Sequence, residues 1–137
     1  MACIFCAIVR GDAPCVKVHE DDLTLTFLDI SPVARGHALI VTKEHYDDIF
    51  GISPPALSQV AANSIRLARA IDSALAPDGL SVMQLNRSAA GQSVFHYHMH
   101  LIPRTQGDKL EIHSRVQGDA DDLATVAKLL TAELERS

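Results

Sequence analysis

The sequence predicts an α+β domain in which one antiparallel sheet has helices packed against it. Three observations carry this. Residues 92–102 alternate imidazole and apolar side chains, which is a strand pattern. Residues 53–75 repeat apolar positions at helical spacing behind a capping serine. Short apolar runs over residues 16–42, separated by turn residues, read as an antiparallel meander.

In chain order, residues 16–19 and 23–28 are short strands joined by the acidic turn Glu20-Asp21-Asp22. Ser31-Pro32 and Gly36 break the chain, and residues 37–42 form a third strand. Ser53 is an N-cap and Pro54 fits the first helical position. The expected inner stripe of this helix is Leu57, Val60, Ala61, Ser64, Ala68, Ile71 and Leu75, and Pro77-Asp78-Gly79 stops it. Residues 80–86 read as a strand, 87–91 as a loop and 92–102 as a long strand ended by Pro103. A last helix covers about residues 121–136, acidic first and basic late, with Leu123, Ala127, Leu130 and Leu134 inside. Residues 1–137 are expected to form a single domain.

Composition narrows the function. An apolar fraction of 47% argues against disorder. A net charge of −5 with no basic run disfavours nucleic acid as a partner. No stretch approaches the roughly 20 apolar residues of a membrane span, and the N-terminus lacks a signal peptide's basic start, so a cytoplasmic setting is expected. Three cysteines, an odd count, do not suggest a disulfide framework.

The chemistry concentrates in "GQSVFHYHMHLIPR". On a strand, His96, His98 and His100 share one face, while Phe95, Tyr97, Met99 and Leu101 face the core. Three surface histidines are the bland alternative. One metal held by all three is disfavoured, because about 13 Å separates the outer Cα atoms of a five-residue strand and a Zn–N bond needs roughly 2 Å. Catalysis fits better. His98 can attack phosphorus through one ring nitrogen while its other nitrogen, protonated and held by an acceptor, fixes the tautomer. The flanking imidazoles can donate to phosphoryl oxygens or to a leaving atom. The preceding Gly91, Gln92, Ser93 and Val94 can aim N–H groups at an anion, with Asn86 and Ser93 as side-chain partners. Alone, that segment would be an ordinary turn.

His96-Tyr97-His98-Met99-His100-Leu101-Ile102 resembles the signature of the histidine triad (HIT) superfamily. The resemblance extends through "CIFCAIVRGDAP", "FLDISPVARGHALIVTKEH" and "NRSAAGQSVFHYHMHLIPR", nearly the whole chain. It is nearest to the small bacterial members of the branch that includes adenosine 5′-monophosphoramidases. The resemblance implies a nucleoside 5′-phosphoramidate hydrolase that works through a covalent nucleotidyl-histidine. In that reading His98 is the nucleophile and His96 and His100 are supporting imidazoles. Asn86, Gln92, Ser93 and Val94 contact phosphate, Asp29 holds the ribose hydroxyls, and Ile4, Phe5, Ile8, Phe27 and Ile30 form the base slot. Without the resemblance, these apolar residues would be ordinary core and Asp29 a turn carboxylate. A dinucleoside polyphosphate hydrolase and a zinc-stabilised purine-nucleotide-binding regulator are the alternatives.

Cys3-x-x-Cys6 can be a redox pair, a zinc knuckle or chance. No thioredoxin-like βαβ context follows it, and a closed zinc site needs two more ligands, for which His45 and His96 are candidates. The resemblance implies that choice, with zinc in a structural role. It also implies a homodimer with the sheet continuing across the interface. The chain departs from many relatives in having no tryptophan and in ending on a helix. Cys15 is expected as a small apolar filler, and His19, His37 and His113 carry no assigned role; His37 is expected in ordinary packing, with a place near the site or at a subunit interface as the alternative.

Overall fold

The computed structural model describes residues 2–136. Five strands form one antiparallel sheet: β1 (Val16–Glu20), β2 (Thr24–Leu28), β3 (Ala38–Thr42), β4 (Gly79–Met83) and β5 (His98–Arg104), in the order β1-β2-β3-β5-β4. Helices α2 (Pro54–Leu75) and α3 (Ala120–Arg136) pack on one face. A seven-residue helix, α1 (Ile4–Arg10), covers part of the other. The expected α+β architecture is therefore present.

Alternation along the strands divides the sheet cleanly. Ile40, Met99 and Leu101 face α2 and α3, within the core that includes Val60, Leu67, Ile71 and Leu130. Leu25, Phe27, Leu39 and Val41 face α1 and pack against Phe5. β2 and β3 are buried on both faces because each face has a cover. Register then places the imidazoles: His98 pairs with Val41 and His100 with Leu39, so both histidines emerge on the α1 face.

Several expectations shift. Helix α1 was not apparent in the sequence, because seven residues are too few for a periodic stripe. Its signals are local: Cys3 caps it, with Sγ accepting from the Cys6 N–H at 3.4 Å, and Gly11 ends it at φ +84°. The inner stripe of α2 is Ala56, Val60, Asn63, Leu67, Ala70 and Ile71, rotated from the expected one, and Ala61 is exposed. Asn63 explains this. Its amide donates to Asp21 Oδ2 (2.7 Å) and Thr24 Oγ1 (2.8 Å), so a polar side chain is satisfied inside the core. The inner face of α3 is as expected, with Val126 added. Pro103 lies inside β5 rather than after it. Beyond Leu101 the strand pairs only with β4, so one side of the backbone has no ladder to break.

The triad strand is also shorter than expected. Residues 92–97 are irregular, and β5 begins at His98. Phe95, expected in the core, is 49% exposed, while Tyr97 is buried. No helix of the described residues is long and apolar enough to cross a membrane.

Candidate functional site

A cleft of about 350 Å³ opens on the α1 face of the sheet, a size suited to a small ligand. Ile4, Phe5, Ile8, Phe27, Ile30 and Leu39 form its apolar end, and Asp29 stands at its side. Ser93, Val94, His98 and His100 form its polar end, joined by His113 and Ser114. The Phe5 ring packs edge-on against Phe27 (5.6 Å between centroids) and His98 (5.0 Å), joining the two ends.

His98 presents a directed lone pair to the cleft. Its Nδ1–H donates to the carbonyl oxygen of His96 at 2.7 Å, which leaves the lone pair of the neutral ring on Nε2. Nε2 makes no hydrogen bond among the described residues, and the side chain lines the cleft. Burial pushes its pKa down, and the backbone acceptor offsets this only in part, which favours the neutral ring.

His100 is held differently, by a residue to which the sequence assigned no role. Val33 N–H donates to His37 Nδ1 at 3.1 Å, so the proton of neutral His37 sits on Nε2. That N–H donates to His100 Nδ1 at 3.0 Å. His100 must then carry its proton on Nε2, a buried atom that has no partner among the described residues. Burial holds His37 at about 4 and His100 at about 3, so both are neutral at pH 7 and the relay is one of directed N–H groups. An orphaned buried donor in a cleft is explained by a ligand acceptor. "ARGHALI" held one available signal, a histidine opening a strand just after a glycine turn, but its partner lies 63 positions away.

Asp29 Oδ1 accepts from Ser31 N–H at 2.9 Å, and Oδ2 lies 3.8 Å from His37 Nε2. Burial raises the pKa of Asp29, partly offset by the Ser31 hydrogen bond and by nearby His113. The loop before β5 is narrower as an anion cradle than the sequence implied. Gly91 N–H and Gln92 N–H are used within the turn, bonded to Ser88 and Arg87 carbonyls, leaving the N–H groups of Ser93 and Val94 without partners among the described residues. The Gln92 side chain is buried, accepting from Arg87 N–H and donating to the Asp47 and Val94 carbonyls. Asn86 bonds Gln84 and the Ile49 N–H. Gly91, Gln92 and Asn86 therefore shape the loop and do not line the cleft.

His96 turns away from the cleft. Its Nε2–H donates to the Thr42 carbonyl at 2.6 Å, and Nδ1 lies 3.3 Å from Cys3 Sγ and 3.5 Å from Cys6 Sγ. Both nitrogens are engaged, so the expected role as a donor to phosphate has no free N–H to serve it. His45 Nδ1 is 3.3 Å from Cys6 Sγ, and its Nε2–H donates to Asp47 Oδ1 at 2.8 Å. These four donor atoms lie within 4.8 Å of one another.

The donor set fits zinc. A tetrahedron with 2.0–2.3 Å bonds has edges of about 3.6 Å, close to the contacts seen here. Each histidine donates its outer nitrogen to an oxygen and presents a lone pair inward, the usual arrangement behind a metal-bound imidazole. Burial acts to raise the Cys3 pKa, but hydrogen bonds from Cys6 and His45 outweigh it and hold the thiol low. Burial and the neighbouring Cys3 raise Cys6. Cys15 borders the cleft, and burial pushes its thiol up.

Comparison with known proteins agrees with this geometry. The HIT domain family matches residues 10–107. The hit protein of Bacillus subtilis is 39% identical over 98% of this chain and 96% of its own length. An adenosine 5′-monophosphoramidase of Schizosaccharomyces pombe is 42% identical over 76% of this chain and 75% of its own. A zinc-bound histidine triad family protein of Mycobacterium smegmatis superimposes with a TM-score of 0.86 at 40% identity, covering 99% of this chain and 95% of that one.

Proposed function

From the premise that the chain belongs to the HIT-domain family, we propose that it is a nucleoside 5′-phosphoramidate hydrolase acting on a purine nucleotide of the AMP type. The observation that carries this reading is His98: a buried, neutral imidazole whose Nδ1–H is tied to a backbone carbonyl and whose Nε2 lone pair is left to the cleft. A protein that only binds a nucleotide has no need of a directed nucleophile, which disfavours the regulatory alternative.

The apolar end under α1 takes the base, and Asp29 Oδ2 takes the ribose hydroxyls. The phosphate then meets His98, the His100 Nε2–H, and the N–H groups of Ser93 and Val94. His98 Nε2 forms a bond to phosphorus as the phosphorus–nitrogen bond breaks, and the leaving nitrogen takes a proton from solvent and departs as the amine. The positive charge that develops on the His98 ring is stabilised through Nδ1–H by the His96 carbonyl. Water then attacks phosphorus and releases a proton to solvent as the bond to Nε2 breaks, AMP departs, and His98 recovers its lone pair.

Cys3, Cys6, His45 and His96 would hold zinc in a structural role. Zinc there supplies cross-linking: it would tie α1, the segment after β3 and the residue whose carbonyl orients His98. A homodimer belongs to the same reading. β4 is a sheet edge with Val82 49% exposed, where a second copy could continue the sheet.

The test is to quench the reaction in base, which spares a phosphorus–imidazole bond. AMP should be trapped on His98 and absent from His96 and His100. His98→Ala should abolish turnover and still bind AMP. Trapping at another residue, or substantial turnover by the variant, would refute the mechanism.

A further inference from the structure

β5 ends at Arg104, and residues 105–119 do not run directly to α3. They return across the cleft as a strap pinned at both ends. At its start, Gln106 N–H donates to Asp78 Oδ2 at 2.8 Å. At its finish, Gly118 N–H donates to the Ile30 carbonyl at 2.8 Å, and Gly118 sits so close to Pro32 that an added Cβ would lie 3.1 Å from that ring. His113 is the tie between them. Its Nε2–H donates to the Gly91 carbonyl at 2.7 Å, its ring centroid is 6.0 Å from that of His100, and it lines the cleft beside Ser114.

We propose that His113 is a specificity-determining residue that selects leaving groups bearing an N–H donor. The inference rests on the phosphoramidate reading above. With its proton committed to Gly91 through Nε2, a neutral His113 ring has a lone pair on Nδ1, and that atom has no partner among the described residues. His113 stands beside His100 in the cleft lining. The one part of the substrate that extends beyond the α-phosphate there is the leaving group. An amine leaving group carries N–H and can donate to Nδ1. The corresponding part of a dinucleoside polyphosphate is a chain of phosphate oxygens that only accept, and these gain nothing from a lone pair. A fourth imidazole of this chain thus separates two substrate classes that share the nucleophile, the base slot and the ribose contact.

The experiment compares kcat/KM on an adenosine 5′-phosphoramidate and on a diadenosine polyphosphate at pH 8, for wild type, His113→Leu and His113→Gln. Hydrogen exchange of residues 105–119 is followed in each protein. Leucine should lower the phosphoramidate value roughly tenfold, the size of one net hydrogen bond, and the polyphosphate value less than about twofold. Glutamine keeps both an N–H for Gly91 and an acceptor oxygen and should recover most of the ratio. Equal losses on both substrates, in step with faster exchange of the strap, would make His113 merely a structural tie and overturn the proposal. An unmoved ratio overturns it too, with the phosphoramidate reading left standing. A wild-type protein that cleaves no phosphoramidate overturns both.

Discussion

Replacing His37 by leucine cuts the relay that orients His100 while nearly conserving volume. Two losses can be worked from the structure. The Val33 N–H loses its 3.1 Å acceptor. An unsatisfied buried donor costs about 1–3 kcal/mol, and the low end applies because Val33 is only half-buried and water can reach it. His100 loses the 3.0 Å bond that selects its tautomer. A net hydrogen bond contributes up to about 1.5 kcal/mol, so the ratio of the Nε2–H to the Nδ1–H tautomer of His100 falls by up to roughly tenfold. The value of kcat on an adenosine phosphoramidate should fall measurably and by no more than that factor, with AMP affinity nearly unchanged. His37→Gln can accept from Val33 and donate to His100, and should restore most of the rate. Nitrogen NMR shifts of the His100 ring report the tautomer directly. Acid stability is a second readout. Burial holds folded His37 at about 4 and His100 at about 3, below the roughly 6.5 of the unfolded chain. The unfolded state therefore takes up protons first, and native stability declines as pH falls from about 6.5 towards 4 and then 3. Each group contributes on the order of 3–5 kcal/mol to this decline. The leucine variant lacks the His37 share and should show a flatter decline between about pH 6.5 and 4. A folded leucine variant with undiminished kcat and an unchanged His100 tautomer would refute the relay.

Cys6→Ser should lower the zinc content of the purified protein from near one per chain and reduce stability by a few kcal/mol, because metal affinity is linked to folding. Elemental analysis beside thermal melting checks this, and metal-free protein of undiminished stability would refute a structural ion. Gly36→Ala should destabilise the fold by roughly 2–5 kcal/mol, combining a left-handed backbone at φ +91° with crowding against Leu75 and Pro103. An unchanged melting temperature would show that Leu75 swings aside and that the backbone relaxes.

The residues that do local work were legible in the sequence. Alternation around His98 and His100 required a strand with imidazoles on one face, and Ser53-Pro54 with its apolar repeat required the long helix. The residues to which the resemblance assigns the base slot, and Asp29, line one cleft. What the sequence could not determine is how side chains distant in the chain orient one another. Cys3 meets His96 across 93 positions, and His37 meets His100 across 63. No periodicity encodes such contacts; they follow from strand order, which sets β3 beside β5 and brings α1 over both. The sequence reading, with the resemblance, placed His96 both among the catalytic imidazoles and among the metal ligands; the fold turns its ring to the cysteines and brings its carbonyl to His98. The same reading left His113 without a role, since the Gly91 carbonyl that fixes its ring belongs to a turn 22 positions earlier in the chain. Local pattern determined which groups this protein carries, and tertiary packing alone decided where each ring nitrogen holds its proton, because a tautomer is set by the partner it meets.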